Sequence, residues 1–436
     1  GYKGVPAHSM AAGKEAMGAF CFSSFTLAPG EKTDFILLSG IADSKEEIEN
    51  IFERDIKNMK FSIEKGYLLN RLKVVEKIAS MRGINPILSN ILIEACEDNK
   101  IKLTSTDMDM SVETTQVASV EVAGATTMGA KKLIEIVNKL PDKPILFELD
   151  SSTQIMQISC GSTKYEVISM ESGDFPKVFR DIYQVNEFDI ETEPLIKGIE
   201  HTVFACASPE SRNVISGVIT KVRKDNIEMA ATDGNRLTRL IQPIAEKDIE
   251  EDITIIIPSK AFNEFARICQ ITEDKKVKVI ISKVKVLFKT ENFVLESQLL
   301  EGDFPPYSQL IPKSFPKNAI VCREEFLNAL DRVSTMVSDR TSIIEFSFIH
   351  NKLKMLAQTP EEGKSNDEIE IKYQDDDLDI AFNYKYIIES IKNMDSENIQ
   401  IGLNGSLSAT MFTPINDDDY VCLIMPVQLK EDAKKE

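Results

Sequence analysis

The chain has 436 residues, 42% of them hydrophobic and 28% charged, and a formal net charge of −19 at pH 7. This length fits about two to four domains, and no apolar run reaches the roughly 18 residues that would span a bilayer. The N-terminal residues lack the pattern of a secretory signal, so we expect a soluble, cytoplasmic protein. A uniformly acidic surface repels polyanions, which disfavours nucleic acid as a partner unless positive charge is concentrated on one surface.

Residues 1–58 differ in pattern from all later residues of the chain. They contain six lysines and arginines and nine aspartates and glutamates, so −3 of the net charge lies there and −16 in the remainder. The stretch FTLAPGEKTDFILLSG predicts two strands around a Pro-Gly turn, and Ser44 with Glu47 predicts a capping box for a helix ending near residue 57. The segment is either a tag or fusion leader, or an appendage that docks on the body. We assign it no function.

The rest of the chain contains a threefold repeat. The segments NKIKLTSTD (99–107), DNIEMAATD (225–233) and NKLKMLAQT (351–359) each combine a polar turn with alternating apolar residues, and Leu103, Met229 and Met355 are spaced 126 residues apart. A second series, GAKKLIEIVNKL, PSKAFNEFARIC and NYKYIIESIKNM, begins at residues 129, 258 and 383 and has helical periodicity. Repeated modules at a fixed period indicate one structural unit used three times.

Each unit is predicted to contain a first helix, paired strands, a second helix and further strands. The first helices are expected at 67–80, 193–207 and 323–338. Asp-Phe-Pro occurs at 174–176 and 303–305, where proline stops a strand near the end of a unit. The predicted class is α+β, with domain I at 59–180, domain II at 181–312, domain III at 313–430 and a charged tail at 431–436.

The exposed faces of these helices are predicted to be basic. In the first helix, Leu68, Leu72, Val75 and Ala79 form an apolar stripe, and the lysines lie opposite. In the first helix of domain II, His201 is predicted to face solvent. Lysines on one helix are ordinary solvated residues, but six helices with the same bias could line a concave surface that holds a phosphate backbone without reading bases.

Seven motifs in order resemble the beta subunit family of bacterial DNA polymerase III, the replicative sliding clamps. They are MKFSIEKGYLLNRL, NPILSNILIEA, STDMDMSVE, ESGDFPKV, ATDGNRLTRL, LLEGDFPPYSQLIP and YVCLIMPVQL. The resemblance covers about 370 residues. It implies a DNA clamp fold of three domains, each with two helices packed on antiparallel sheets, that forms half of a ring. It also implies a non-catalytic processivity factor that encircles double-stranded DNA as a homodimer and binds the replicative polymerase, an ATP-dependent clamp loader and other proteins.

The resemblance assigns residues to three surfaces. Partner peptides are expected in a pocket formed by Ile215, Thr232, Gly234, Asn235, Arg236, Leu237, Pro305, Gln309, Leu310, Leu423, Met425, Pro426 and Val427. The expected DNA-facing residues are Lys73, Lys77, Arg82, Lys131, Lys139, Lys197, Lys260, Arg267, Arg332, Lys385 and Lys392. At the dimer interface, Tyr165 and Val167 of one subunit are expected to face Met336 and Val337 of the other.

Some positions differ from the family pattern, which leaves the peptide preference open. Asn235 stands where histidine is common, Gln309 where a basic residue is common, and Val427-Gln428 where Met-Arg often closes the chain. Gly234 is expected to permit the sharp bend of its loop, and Asp233 to stabilise that bend through the backbone.

Two alternatives come from other functional classes. Asp107 and Asp233 occupy equivalent repeat positions and could hold Mg²⁺ in a nuclease or phosphohydrolase. The chain could also be a repeat scaffold that binds peptides but not DNA. No phosphate-binding GxxxxGK[ST] loop, metal-ligand spacing or nucleophile motif is present, so we expect no cofactor and no metal. The seven cysteines show no CxxC pair and are expected to be free thiols in a reducing compartment: Cys21, Cys96, Cys160, Cys206, Cys269, Cys322 and Cys422.

Overall fold

The computed structural model describes residues 59–79, 85–179, 186–211, 213–244, 251–337, 342–359 and 363–428. The predicted strands and helix within 1–58, the DNA-facing prediction for Arg82 and the tail at 431–436 lie outside the described residues. No helix in the described part of the chain has the length and apolar character needed to cross a bilayer.

Domain I has two helices among nine strands. The helices are α1 (Lys65–Val75) and α2 (Ala130–Lys139). The strands are β1 (Lys60–Glu64), β2 (Asn90–Cys96), β3 (Lys100–Thr106), β4 (Met110–Val117), β5 (Ser119–Val122), β6 (Gly124–Gly129), β7 (Pro144–Asp150), β8 (Ile155–Cys160) and β9 (Thr163–Ile168).

Domains II and III repeat this order without the short β5. Domain II has β10 (Asn186–Glu191), α3 (Thr192–Thr202), β11 (Gly217–Val222), β12 (Asn226–Thr232), β13 (Arg236–Pro243), β14 (Ile253–Pro258), α4 (Ser259–Thr272), β15 (Lys276–Ile281), β16 (Lys285–Lys289) and β17 (Phe293–Gln298). Domain III has β18 (Lys317–Cys322), α5 (Arg323–Ser334), β19 (Ile343–Ile349), β20 (Lys352–Thr359), β21 (Gly363–Glu370), β22 (Leu378–Asn383), α6 (Tyr384–Ile391), β23 (Asn398–Leu403), β24 (Thr410–Pro414) and β25 (Tyr420–Ile424).

The strands and helices follow the apolar periodicity of the sequence. In β19, IIEFSFI, buried and half-buried residues alternate, as expected of a strand with one face on a core. In α1 the residues Leu68, Leu72 and Val75 are buried, as predicted. The first helices nevertheless end four or five residues earlier than predicted. The apolar pattern continues past each helix end because buried residues such as Ala79 and Ala205 lie in turns and a short 3-10 helix.

Two eight-stranded sheets run without a break from one domain into the next. The first has the order β10-β15-β16-β17-β4-β3-β2-β6, and its β17 to β4 pairing joins domain II to domain I. The second has the order β14-β11-β12-β13-β25-β24-β23-β18, and its β13 to β25 pairing joins domain II to domain III. The remaining sheets are β5-β1-β7-β8-β9 in domain I and β21-β20-β19-β22 in domain III. Among the described residues each of these sheets has two edge strands, β5 and β9 in domain I and β21 and β22 in domain III.

The helices form one row along these sheets. The two helices of each domain touch each other, and α1 also touches α4 of domain II. The row continues from α3 to domain III, where the Asn393 side chain donates to the carbonyl oxygen of Glu200 at 2.8 Å and Lys197 pairs with Asp395 at 3.0 Å. The order of the row is therefore α2-α1-α4-α3-α6-α5. The predicted arrangement of repeated helices on antiparallel sheets is confirmed.

Three apolar cores hold the domains together. One extends through domains I and II, one lies in domain III, and a small third cluster lies at the joint of domains II and III. His201, predicted to face solvent, is 5% exposed, and its ring meets the Tyr420 ring edge-on at 4.6 Å between centroids. That prediction was wrong because Tyr420 comes from domain III and covers the face of α3 that carries His201. The six described cysteines are free thiols, as predicted.

Candidate partner-binding and DNA-binding surfaces

The loop between β12 and β13 is a tight turn held by side-chain hydrogen bonds. Asp233 Oδ1 accepts hydrogen bonds from the backbone N–H of Asn235 at 2.9 Å and of Arg236 at 3.1 Å. Thr232 Oγ1 donates to the carbonyl oxygen of Arg236 at 2.6 Å and accepts from the N–H of Gly234 at 3.1 Å. Gly234 has φ +91°, in the left-handed region, and a Cβ there would meet open space. Asp233 therefore stabilises the turn, and Gly234 permits it.

The same turn is built a second time between β3 and β4. Asp107 Oδ1 accepts from the N–H of Asp109 at 3.2 Å and of Met110 at 2.8 Å, and Thr106 Oγ1 donates to the Met110 carbonyl at 3.0 Å. The position of Gly234 is occupied here by Met108, which has φ +80° and a side chain that is 58% exposed. A non-glycine residue with this φ carries backbone strain. The turn thus occurs in both domain I and domain II and is not specific to the pocket region.

Arg236 is a buried link between domains II and III. Its side chain is 9% exposed and pairs with Asp233 at 3.0 Å and with Glu389 of α6. The guanidinium also donates to the Phe204 carbonyl oxygen and lies 4.4 Å from the centroid of the Tyr386 ring. A guanidinium paired twice and stacked on an aromatic ring fixes the relative position of the elements that it touches. The sequence interpretation placed Arg236 in a pocket wall and missed this role.

The end of the chain that the structure describes lies against this turn. Leu423 of β25 pairs with Leu237 of β13, and the N–H of Met425 donates to the Asn235 carbonyl oxygen at 2.8 Å. The N–H of Val427 donates to the carbonyl oxygen of Ala381 at 2.7 Å. Met425 is 44% exposed. The segment Met425-Pro426-Val427 therefore presents partly exposed apolar side chains beside the 232–237 turn.

The segment between β17 and β18 crosses the same joint. Phe304, Tyr307 and Ile311 pack with Leu237 and Leu423 in the small apolar cluster at the joint, and Leu310 is 58% exposed. Ile215 lies in a loop whose backbone accepts from the N–H of Ala207 at 2.9 Å. The thirteen predicted pocket residues thus lie on four elements that meet at this joint: the 213–216 loop, the 232–237 turn, the 304–311 segment and residues 423–427 at and beyond the end of β25.

Sequence reasoning did not name several residues of this region. Phe304 and Tyr307 fall inside the quoted motif GDFPPYSQLIP, so their apolar character was visible, but Tyr386 and Phe204 carried no local signal. The cluster also contains Ile219, Ala230, Ile256, Val214, Leu300, Ala409 and Met411. A small cavity inside domain II is a different feature: it holds about 10 Å³ and is lined by Phe188, Leu195, Phe288 and other core side chains, so it admits no peptide.

The predicted DNA-facing cations fall into two groups. Lys73, Lys77, Lys131, Lys385 and Lys392 are exposed and make no ion pair within the part of the chain that the structure describes. The others are paired: Lys139 with Glu135 at 3.1 Å, Lys197 with Asp395 at 3.0 Å, Arg332 with Asp367 at 2.6 Å, and Lys260 with Asp107.

Arg267 differs most from its predicted role. Its Nη1 and Nη2 donate to the carbonyl oxygens of Lys73 at 2.7 Å and Val74 at 2.9 Å, and its Nε donates to Glu264 at 2.7 Å. A cation at the last carbonyls of a helix satisfies acceptors that lack intrahelical partners. Arg267 of α4 therefore caps the end of α1 across the joint of domains I and II, and this role occupies three of its five N–H donors.

The basic bias of the helices is uneven. Counted over their observed bounds, the six helices carry twelve lysines and arginines against eight aspartates and glutamates. Six of these cations and one of the carboxylates belong to α1 and α2 of domain I, whereas α3 and α5 are each net acidic. The prediction that all six helices lean basic was wrong: the positive charge is concentrated in domain I.

Known proteins match the chain over all three domains. The family descriptions "DNA polymerase III beta subunit, N-terminal domain", "central domain" and "C-terminal domain" match residues 59–179, 189–306 and 308–428. The chain belongs to the DNA polymerase III beta subunit family.

Individual beta sliding clamps match along their whole length. The curated beta sliding clamp of Synechococcus elongatus is 29% identical over 377 residues, which are 85% of this chain and 100% of that protein, and that of Bacillus subtilis is 29% identical over 383 residues. A solved DnaN sliding clamp from Bartonella birtlesii has a TM-score of 0.80 at 28% identity and covers 86% of this chain and 100% of its own. A solved clamp from Pseudomonas aeruginosa has a TM-score of 0.79 at 26% identity, with the same coverage.

The beta sliding clamp is the non-catalytic processivity subunit of DNA polymerase III, and this chain is a DNA sliding clamp of that family. The carboxylates considered for catalysis serve other purposes. Asp107 and Asp233 hold their turns and pair with Lys260 and Arg236. Within the described ranges, no group of three or more His, Cys, Asp or Glu side chains is arranged to hold a metal ion. The nuclease alternative is set aside because the family to which the chain belongs is non-catalytic.

Proposed function

We propose that this sliding clamp closes into a ring of two chains around duplex DNA. In this proposal the ring tethers the replicative polymerase, the clamp loader and other partners through the joint of domains II and III. One observation supports the ring: β9 and β21 each form one edge of an outer sheet, and they are the repeat equivalents of the strands that already pair at both internal joints. A second copy would complete a third joint of the same kind.

The equivalence follows from the strand registers. The strands β4, β13 and β21 are equivalent in the three domains. The repeated residues Leu103, Met229 and Met355 lie opposite Thr114, Leu240 and Asp367 in their hairpins. Each strand begins four residues before that partner, at Met110, Arg236 and Gly363. By the same reasoning the strands β9, β17 and β25 are equivalent. Since β17 pairs with β4 and β25 pairs with β13, β9 of one copy is expected to pair with β21 of the other.

The internal joints also predict the register of this third joint. Leu295 lies opposite Val112, and Cys422 lies opposite Thr238. The equivalent pair would be Tyr165 of one copy and Ser365 of the other, both half-buried on the same face of their strands. Glu166 would then lie opposite Lys364, and both are exposed. Opposite charges directly across a strand pair stabilise a sheet by about 0.2–1 kcal/mol, and like charges destabilise it.

The ring is tested by reversing this charge pair. Lys364→Glu and Glu166→Lys should each raise the dimer dissociation constant by about 3- to 30-fold at low salt, because a closed dimer contains the pair twice and each 1.4 kcal/mol is tenfold. The double variant should restore wild-type dimerisation in sedimentation experiments. Lys289→Glu is the matched control, since Lys289 is exposed on β16, away from both edges. A monomer at all concentrations, or a double variant no better than the singles, would refute the proposed joint.

The row of helices is proposed to face the DNA. The helices have 8 to 14 residues, so they span roughly 12–21 Å and can cross the grooves of a duplex instead of lying in one. Contacts through exposed lysines are electrostatic and independent of sequence, as sliding requires, and the closed ring supplies retention. The exposed lysines of domain I, Lys73, Lys77 and Lys131, are the first expected contacts. The joint residue Arg267 is left out.

Loading onto DNA tests this surface. A clamp loaded on nicked circular DNA should stay on the circle and run off once the circle is cut, whereas a peptide-binding scaffold would show no such dependence on topology. Lys73→Glu, Lys77→Glu and Lys131→Glu combined should weaken retention and flatten its salt dependence, because each phosphate contact contributes to the salt slope. A salt slope equal to that of wild type would show that these helix faces do not meet DNA.

The partner pocket is proposed at the joint of domains II and III. The partly exposed side chains of Leu310, Met425 and Val427 border the 232–237 turn and the apolar cluster beneath it. Flexible apolar side chains can repack around different peptide anchors, which suits a clamp with several partners. The solved clamps from Pseudomonas aeruginosa and Bartonella birtlesii are described as bound to griselimycin, so the fold accepts such a compound.

A further inference from the structure

Glu228 and Tyr307 form a buried polar pair beneath the proposed pocket. Tyr307 is 3% exposed and Glu228 is 8% exposed, and the Tyr307 hydroxyl donates to Glu228 Oε1. Glu228 lies on β12, and it also pairs with Arg223 at 2.9 Å and with Lys221 at 3.8 Å. Lys221 Nζ lies 4.7 Å from the centroid of the Tyr307 ring. Neither residue of the pair is among the pocket residues that the resemblance implies.

Tyr307 occupies the centre of the segment that supplies part of the pocket. Its N–H donates to the Pro305 carbonyl oxygen at 2.7 Å, and its own carbonyl accepts from the N–H of Leu310 at 3.0 Å. The N–H of Gln309 donates to the Pro306 carbonyl at 3.1 Å. The ring packs among Ile219, Ile256 and Leu423 in the apolar cluster at the joint. Pro305, Gln309 and Leu310 are thus arranged around one side chain that points away from them into the domain.

Apart from Phe304 and Ile311 at its two ends, which pack in the same apolar cluster, the 305–310 segment has few other anchors. Leu310 is 58% exposed, and Gln309 and Pro306 are also exposed, so these residues contribute little burial of their own. A hydrogen bond from a buried hydroxyl to a charged carboxylate is stronger than one between neutral groups, and it fixes where the ring enters the sheet. The charge of Glu228 is in turn paired with two cations that lie outside the segment, so the acceptor is held independently of it.

We propose that Glu228 and Tyr307 are positioning residues for the partner pocket. Together they hold the 305–310 segment in the conformation that binds an apolar ligand. The proposal rests on the pocket proposed above and adds a determinant outside it. It predicts that removing a single oxygen atom beneath the pocket changes ligand affinity although no residue that lines the pocket is altered.

The test compares two tyrosine variants. Tyr307→Phe removes only the hydroxyl. Tyr373→Phe is the matched control, because Tyr373 of domain III is 1% exposed and its hydroxyl also donates to a neighbour, the Asp376 carbonyl oxygen, at 2.5 Å. Griselimycin serves as the probe, with affinity measured by calorimetry on the full chain. Tyr307→Phe should weaken binding by about 3- to 10-fold, and Tyr373→Phe should leave it within about 2-fold of wild type.

Hydrogen exchange supplies a readout that general destabilisation would not produce. The amides of Tyr307, Gln309 and Leu310 should exchange faster in Tyr307→Phe, while those of β12 and β25 keep wild-type protection. Glu228→Gln should behave more mildly than Glu228→Leu, because the amide oxygen of glutamine can still accept from the hydroxyl. In the Glu228→Leu background, Tyr307→Phe should have almost no further effect.

Met425→Glu separates the two proposals. If this variant binds griselimycin as tightly as wild type, or if wild type does not bind it, the pocket itself is misplaced. The exchange measurement then still decides whether Tyr307 holds the segment. If Met425→Glu abolishes binding but Tyr307→Phe matches Tyr373→Phe in both affinity and exchange, the pocket stands and the positioning role of Glu228 and Tyr307 is overturned.

Discussion

Replacing Arg236 by methionine is the most informative single change, because the repeat itself places Met110 at the equivalent position of the other internal joint. The substitution removes the pairing with Asp233 and Glu389, the donation to the Phe204 carbonyl and the stacking on Tyr386. Breaking a buried ion pair by removing one partner costs about 3–5 kcal/mol. The Asp233 side chain is 14% exposed, but Glu389 is 38% exposed and will regain solvent. The methionine also restores some apolar packing, so we expect Arg236→Met to lower the free energy of opening the joint by about 2–4 kcal/mol.

The assay must report on the joint, since a chain of three domains need not unfold in one step. Hydrogen exchange of the β25 amides that bond to β13 measures the opening of the joint directly. A cost of about 2–4 kcal/mol corresponds to exchange about 30- to 700-fold faster, because each 1.4 kcal/mol is tenfold. Thermal melting of the same samples checks that the remainder of the chain is folded.

Arg239→Met is the control for this prediction. Arg239 lies on the same strand and donates to the Asp418 carbonyl oxygen at 2.6 Å, but its Nε is buried with no partner among the described residues. Removal of the Arg239 guanidinium should lower the free energy of opening the joint by less than about 1 kcal/mol. In a double-mutant cycle, Arg236→Met should lower the free energy of opening the joint by less in the Glu389→Gln background than in the wild-type background. If Arg236→Met exchanges no faster than Arg239→Met, the guanidinium does not hold the joint.

Three further predictions concern strain, pH and the chain end. Both Gly234 and Met108 have positive φ, which glycine adopts without strain and other residues do not. Gly234→Ala should therefore destabilise the chain by about 1 kcal/mol, and Met108→Gly should be neutral or stabilising. Melting curves that rank the two variants in the opposite order would contradict this. Burial lowers the pKa of His201, so the unfolded chain binds its proton more readily; stability should be full above the ordinary pKa of 6.5 and fall as the pH drops below it. His201→Leu should reduce the dependence of stability on pH in thermal melts between about pH 5 and 7. An unchanged pH dependence would show that other groups cause it. Truncation after Ile424 should abolish griselimycin binding while the dimer persists in light scattering, since the cut removes Met425 and Pro426 but neither edge strand; a monomer would place this segment in the dimer interface.

The sequence by itself determined the repeat and therefore much of the fold. Alternating apolar residues and helical periodicity are local properties, so they predicted six helices, paired strands and the equivalence of Asp107 and Asp233 without any knowledge of the tertiary structure. The 232–237 turn was also predictable, because aspartate followed by glycine has few ways to satisfy its backbone. The residues implied for the pocket were found on four elements that meet at one joint.

The tertiary structure decided everything that depends on contacts between domains. His201 appeared exposed until Tyr420, far along the chain, covered it, and Arg267 appeared free until its donors met the end of α1. Arg236 contacts Tyr386 and Glu389 although about 150 residues of sequence separate it from them. Such pairings cannot be read from periodicity, which specifies which face of a helix or strand is buried but not which domain covers that face.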